Sequence, residues 1–204
     1  MRLITAVLLT LVMMSAANEV TFQPDAAVGK DSWIVDLNPS WNGGVDTSLS
    51  VGWWQGASYR SFIEFVELNN AAYQGATVNS ATLMLYLELA GGAGNEYKVG
   101  ICANSWDEMT VNWNNAPSAI DTHTEYYPSA AGWLAIDVTA NVQCWLDGGY
   151  PNFGFILFDL AGTNEYITPY SSDFTDPDLR PQLILDYNPL ALEATTWAMI
   201  KAGF

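Results

Sequence analysis

Apolar and polar residues alternate most regularly over residues 77–89. Leu83, Leu85, Leu87 and Leu89 take every second position, and Thr82, Met84, Tyr86 and Glu88 lie between them. Successive side chains of a β-strand point to opposite faces, so this pattern predicts a long strand with its leucines in the core. Shorter runs of this kind, separated by Gly, Asn and Pro, recur along the chain and predict an all-β fold, an antiparallel β-sandwich with one short helix.

The segment from Ser105 to Pro117 is bracketed by Trp106 and Trp113. Met109, Val111 and Trp113 share one parity, which predicts a strand that Asn114 and Asn115 end. Both tryptophans are expected in the core, because large aromatic side chains are mostly buried.

Residues 118–132 show no clear period and are predicted to form a long loop. A short helix is predicted after them, because Val138, Val142 and Trp145 fall on one side of a 3.6-residue period. Asp137 or Thr139 is expected to cap its start, and Gly148 with Gly149 to end it.

The chain of 204 residues begins with Arg2 and an apolar run to Met14, followed by small residues. This arrangement predicts a signal peptide over residues 1–17, and hence a secreted or cell-surface protein. An uncleaved membrane anchor is the alternative. The remaining chain contains no other segment long enough to span a membrane. Residues 18–188 are expected to form one domain, followed by a short helical tail over 189–204 that serves as a sorting tag or packs on the domain.

The formal net charge is −16 at pH 7. Nucleic acids and anionic membranes bind clustered Lys and Arg. A surface this acidic therefore argues against both as partners. Arg60 is one of few cations and is expected to pair with a carboxylate. Cys102 and Cys144 are the two cysteines, and an even pair in an exported protein predicts a disulfide, with two free thiols as the alternative.

Catalytic motifs are not evident in the sequence. The chain lacks a phosphate-binding glycine loop and a nucleophile elbow, and His123 is the single histidine. Carboxylates are so frequent that no pair of them indicates glycoside hydrolysis. We therefore expect a protein that is not an enzyme.

Several segments resemble one family. The run Trp106-Asp107-Glu108-Met109-Thr110-Val111-Asn112-Trp113-Asn114-Asn115 resembles the W-S-E-x-T-V-T-W-N-N signature of the DNRLRE family, also described as carbohydrate-binding module family 96. Residues 75–86 resemble its G-A-x-V-x-S-A-T-L-x-L-Y element, and residues 171–187 its ending, with Asp173 where the family usually has Glu. The resemblance implies a jelly-roll β-sandwich that binds polysaccharide. A structural or adhesive protein, tethered to cell-surface components, is the alternative function.

Aromatic rings in polar segments are the candidates for contact with a glycan, since a flat ring can lie against the C–H face of a sugar. Trp133 and Trp145 match family motifs and are expected in the core. The candidates for an exposed binding platform are Trp41, Trp53, Trp54, Tyr59, Tyr126 and Tyr127.

Clusters of side-chain oxygens are the candidates for a metal site. Asp31, Asp36 and Asn38 form one such set, and Asp173, Asp176 and Asp178 form another. Oxygen ligands suit calcium, so a structural calcium ion is one interpretation, and solvated acidic turns are the other.

Overall fold

The computed structural model describes residues 18–91, 95–159 and 165–190, with the backbone alone for 121–123. The predicted signal peptide at 1–17 and nearly all of the predicted tail at 189–204 lie outside the described residues. The described elements are β1 (Asn18–Phe22), β2 (Lys30–Val35), β3 (Val51–Trp54), β4 (Ala57–Glu64), β5 (Thr77–Leu89), β6 (Tyr97–Cys102), β7 (Ala119–Tyr126), β8 (Gly132–Asp137), α1 (Thr139–Leu146), β9 (Phe155–Asp159), β10 (Glu165–Pro169) and β11 (Gln182–Asn188).

The strands pair antiparallel throughout and form two layers, consistent with the predicted all-β sandwich. One layer has β11 and β8 on either side of β5, with β1 beyond β11. In the other layer, β4 pairs with β2, β3 and β9, and β6 and β7 extend the sheet beyond β9. Strand β10 joins the layers, because it pairs with β3 through Glu165–Ile167 and with β5 at Thr168 and Pro169.

The main core lies between these layers. Leu83, Leu85 and Leu87 of β5 are fully buried there, together with Phe155 and Leu157 of β9. The predicted leucine face of β5 is therefore confirmed as far as Leu87. Leu89 is 44% exposed, because β5 there reaches the end of the sandwich.

Helix α1 closes one end of the main core. Val138, Val142 and Trp145 are buried, as their spacing predicted. The N-cap is Val138 rather than Asp137 or Thr139, but the Asp137 carboxylate just before it accepts a hydrogen bond from the Thr139 N–H at 2.9 Å. Gly148, at φ +73°, donates its N–H to the Trp145 carbonyl at 3.1 Å and ends the helix, as expected. No helix among the described residues has the length and apolar character that crossing a membrane requires.

The strand predicted between Ser105 and Pro117 is wrong: this segment is a loop with two turns. Polar side chains take its backbone hydrogen bonds. The Asp107 carboxylate accepts from the Met109 N–H, and the Asn115 side-chain oxygen accepts from the Asn112 N–H. These local bonds replace the pairing that a strand needs. Trp106 is nevertheless buried, as expected, and its Nε1–H donates to the Phe153 carbonyl at 2.8 Å.

The long loop predicted over 118–132 is also wrong, because Ala119–Tyr126 forms β7 at the edge of the sheet. Its pairing with β6 supplies the hydrogen bonds, and the register shifts between Val99 and Ile101. A neighbouring strand can impose extended structure on a segment without its own alternation.

The predicted disulfide is not formed, and Cys102 and Cys144 are both free. Cys102 lies in a second group of buried residues, the outer cluster: Ile34, Phe62, Cys102, Trp106, Val111 and Ile156. Phe62, Cys102 and Ile156 alternate along their strands with residues of the main core, so this cluster faces away from it. Cys144 belongs to α1, which packs on the main core. A sheet therefore separates the two sulfur atoms.

Candidate functional site

Five aromatic rings form an unbroken series of contacts across β2, β3, β4, β10 and the loop that follows β2, and we call this series the aromatic row. Its members in order are Trp41, Trp33, Tyr59, Tyr166 and Trp54. Successive ring centroids lie 5.5, 6.0, 5.9 and 5.6 Å apart. Trp41 is 39% exposed and the other four rings are partly exposed, so the row is accessible along its length.

The middle of the row is organised by a hairpin. Gln55 and Gly56 both have positive φ, at +50° and +85°, as a two-residue type I′ turn requires. The turn sets β3 beside β4, so that Gly52 pairs with Tyr59. On its other edge β3 pairs with β10, and Gly52 is opposite Tyr166. The two tyrosines therefore lie on strands that flank the same glycine.

Gly52 allows this close approach. Its φ is +131°, and a Cβ atom placed there would lie 2.5 Å from the Glu165 carbonyl oxygen and 2.7 Å from the Tyr166 Cα. Without a side chain between them, the Tyr59 and Tyr166 rings stack with planes 26° apart.

The Trp41 end of the row is held by a loop that leaves β2. The Trp33 Nε1–H donates to the Asp46 carboxylate at 2.8 Å, and a Cβ on Gly43 would lie 2.3 Å from the Trp33 ring. The Asn42 amide donates at 2.7 Å to the carbonyl of Glu108 and also to that of Val111. These bonds fix the loop against the 105–117 segment.

The opposite end of the row opens into a cleft of about 450 Å³ lined by Trp54, Leu89, Gly91, Glu165 and Tyr166. Trp54 and Tyr166 supply its ring faces, and Glu165 lines it with one carboxylate oxygen buried. Burial, and then the phenol of Tyr166 and the carboxylate of Asp36, raise the pKa of Tyr59, so its hydroxyl stays protonated and can donate. Apolar ring faces next to fixed donors and acceptors suit a ligand that carries both C–H faces and hydroxyl groups.

The other layer carries a second aromatic group. Trp133 contacts Tyr86 edge to face at 5.5 Å, and Tyr86 stacks on Tyr170 with planes 2° apart. Phe174 stacks on the other side of Tyr170. Trp133 was expected in the core, but it is 44% exposed, because β8 turns this residue outward while Ile136 faces the core. Trp145 is buried, as expected.

The structure brings together three of the six predicted platform residues: Trp41, Trp54 and Tyr59. Trp53 is half-buried and is not a member of the row. Tyr126 is 5% exposed and stacks on Tyr97, so its predicted exposure is wrong. Tyr127 is 53% exposed but follows β7, four strands from β3 and so about 19 Å away.

Sequence reasoning missed Trp33 and Tyr166. Each lies in a short strand next to apolar residues, and such a residue is as compatible with the core as with the surface. Their place in the row depends on the pairing of β2 with β4 and of β10 with β3. No local signal reports that pairing.

Carboxylates are also brought together, but not in the predicted sets. Asp31 lies near Glu108 and Asp173, and one oxygen from each is within 4.8 Å of the others. The set Asp31, Asp36 and Asn38 is wrong, because β2 separates Asp31 from Asp36 by five extended residues, about 16 Å. In the set Asp173, Asp176 and Asp178, the Asp176 carboxylate instead accepts from the Asp178 N–H at 3.1 Å, within a 3₁₀ turn.

Burial raises the pKa of these three acids. Desolvation raises the pKa of Asp31 to about 7, against the hydrogen bond from the Ser172 N–H that lowers it. Desolvation is also the largest cause of the raised pKa of Glu108 and of Asp173. Within the triad, Glu108 and Asp173 also raise the pKa of Asp31, because their negative charges disfavour its ionised form.

Arg60 does not have the predicted carboxylate partner at contact distance among the described residues. Its guanidinium lies 4.5 Å from the centroid of the Trp113 ring. Desolvation lowers its pKa, and the negative charge of Asp36 acts in the opposite direction. The arginine therefore covers one face of Trp113 and joins the 105–117 loop to β4.

The two layers of antiparallel strands define a class of protein, the β-sandwich module. A family model described as carbohydrate-binding module family 96 matches residues 20–187, and the chain belongs to this family. No curated protein matches the chain. Family membership suggests a non-catalytic domain with a polysaccharide ligand, in agreement with the resemblance of the sequence motifs.

Proposed function

We propose that this chain is a secreted, non-catalytic module that binds a polysaccharide along the aromatic row. The observation that carries the proposal is the continuity of the row, in which five partly exposed rings lie 5.5–6.0 Å from their neighbours. Each step is comparable with the length of one pyranose unit, so an extended sugar chain can run along the exposed sides of the rings.

The charges beside the row favour a neutral polysaccharide. Asp46 accepts a hydrogen bond from Trp33, Asp36 acts on Tyr59, and Glu165 lines the cleft with Trp54. These carboxylates can accept hydrogen bonds from sugar hydroxyls but repel the carboxylates or sulfates of an anionic chain. The net charge of −16 acts in the same direction.

Binding to soluble polysaccharides tests this proposal. We expect retardation of the protein in affinity gels that contain a neutral β- or α-glucan, mannan or xylan, and weaker or no retardation with alginate or pectin. Substitution of Trp54 by Ala removes one ring of the row and should weaken binding about 5- to 150-fold, since truncating a contact aromatic costs about 1–3 kcal/mol.

Tyr127→Ala is the matched control, because Tyr127 is equally aromatic and more exposed but lies at the far edge of the sheet. Its affinity should equal that of the unmodified protein. If Trp133→Ala loses affinity for polysaccharide and Trp54→Ala does not, the binding surface is the second aromatic group rather than the aromatic row. Absence of binding to every neutral polysaccharide would refute the proposal.

A further inference from the structure

Asp31, Glu108 and Asp173 come from three separate segments of the chain. Asp31 is in β2, Glu108 in the 105–117 loop and Asp173 in the loop that precedes β11. Calcium binds oxygen atoms at 2.3–2.6 Å, so ligands on opposite sides of the ion are about 5 Å apart. Three oxygens within 4.8 Å of one another can therefore share one calcium ion.

A buried hydroxyl group at the same place supplies an independent observation. Ser172 is 2% exposed, and its Oγ has no hydrogen bond of acceptable geometry among the described residues. It lies beside the Asp31 carboxyl, which accepts the Ser172 N–H at 2.8 Å. A Cβ on Gly29 would lie 2.2 Å from this Oγ, so the glycine leaves room for the Ser172 side chain.

In the described parts of the chain, no basic side chain forms an ion pair with any of the three carboxylates. Lys30 influences Glu108, but its ammonium group pairs with Glu64 at 2.5 Å. Arg180 influences Asp173, but its Nε–H donates to the Phe174 carbonyl at 2.8 Å. Two further acids face the triad, Asp107 toward Glu108 and Asp46 toward Asp173.

We propose that Asp31, Glu108 and Asp173, with the Ser172 hydroxyl, bind one calcium ion. The donors are all oxygen atoms, three of them from carboxylates, which is the set that a hard divalent cation prefers over a transition metal. The ligands come from irregular loops and a strand end, and calcium accepts such geometry more readily than magnesium. Water completes the coordination.

The ion would also hold the loop that carries Trp41. The Glu108 carbonyl accepts a hydrogen bond from Asn42, and a Cβ on Gly44 would lie 2.2 Å from the same oxygen. Fixing Glu108 through its carboxylate therefore fixes Asn42 and Gly44, which follow Trp41 in the chain. The ion would join β2, the 105–117 loop and the loop before β11 at one end of the aromatic row.

Calorimetric titration of the chelator-treated full chain with calcium chloride tests the proposal. We expect one site per chain, and a rise in the melting temperature of about 5–10 °C at a calcium concentration one hundred times Kd. Glu108→Gln and Asp173→Asn should each weaken calcium binding at least tenfold. Asp36→Asn and Asp176→Asn, which change acids outside the triad, should bind calcium as the unmodified protein does.

Circular dichroism checks that each variant is folded. The titration of the unmodified protein decides by itself whether an ion binds. The proposal is refuted if calcium produces no heat of binding and no shift in melting temperature. It is also refuted if Glu108→Gln binds calcium as tightly as Asp176→Asn does. Magnesium that binds as tightly would refute the assignment to calcium. The titration contains no glycan, so failure of the proposed polysaccharide binding leaves its result unchanged.

Discussion

Tyr59 and Tyr166 stack with their ring centroids 5.9 Å apart, although strand β3 lies between the strands that carry them. The contact is possible because Gly52, which pairs with both tyrosines, has no side chain. This contact connects the Trp41 half of the aromatic row to the Trp54 half, so Gly52 decides whether the row is continuous.

Gly52→Ala is expected to destabilise the protein by about 3 kcal/mol. The added methyl group would lie 2.5 Å from the Glu165 carbonyl oxygen and 2.7 Å from the Tyr166 Cα, which is too close. A φ of +131° is also unfavourable for alanine. Urea unfolding gives the free energy, and the affinity for a neutral polysaccharide should fall with it.

Gly56→Ala is the matched control for Gly52→Ala. Gly56 also has a positive φ, +85°, but a Cβ there has no atom within 4 Å. The variant should lose only about 1 kcal/mol, the conformational cost of alanine at positive φ. Equal losses in the two variants would show that the close approach of β10 to Gly52 does not matter.

Asp137 stabilises the start of α1, and Asp137→Ala should cost about 1 kcal/mol at pH 7. Hydrogen bonds from Thr139 lower the pKa of this carboxyl. Because the native pKa is lowered, the stability that the Asp137 carboxylate contributes is complete above its unfolded-state pKa of about 4. This stability is lost as the pH falls through the native-state pKa. The difference between the two proteins should therefore shrink in acid, as measured by urea unfolding from pH 7 to pH 2.

Asp137→Asn separates the hydrogen bond from the charge. The amide oxygen can still accept from the Thr139 N–H, so most of the stability should remain at pH 7, without the dependence on pH. A variant as unstable as Asp137→Ala would show that the negative charge, rather than the hydrogen bond, is what α1 requires.

The two thiols should react at very different rates. Cys144 is half-buried on α1, whereas Cys102 is 1% exposed and burial raises its pKa well above the ordinary value, so little of it is thiolate. Under native conditions we expect one thiol per chain to react readily with a colorimetric disulfide reagent, and two after denaturation.

Cys144→Ser serves as the control for that assignment, and it should abolish the rapid reaction. Reducing agent should leave the melting temperature unchanged, because no disulfide joins the thiols in the structure. Zero reactive thiols in denaturant, and a lower melting temperature after reduction, would instead establish the disulfide that the even cysteine count suggested.

Local patterns in the sequence were sufficient for β5 and for α1. In β5 the alternation itself determines which leucines enter the core, and in α1 the spacing of Val138, Val142 and Trp145 does the same. Both patterns can be read from the local sequence, although β5 itself is completed by pairing with the distant strands β8, β10 and β11. The motifs around Trp106 and Gly75 likewise indicated the family that the match over residues 20–187 shows.

Tertiary structure decided the rest, because it depends on residues far apart in sequence. β7 is a strand because β6 pairs with it, whereas the 105–117 segment is a loop because its own asparagines and aspartate take its hydrogen bonds. The aromatic row requires the register of four strands at once, and the triad joins Asp31 to Glu108 and Asp173 only when the loops close over β2. Side-chain type can nominate a residue for a site, but only pairing and packing bring its partners within reach.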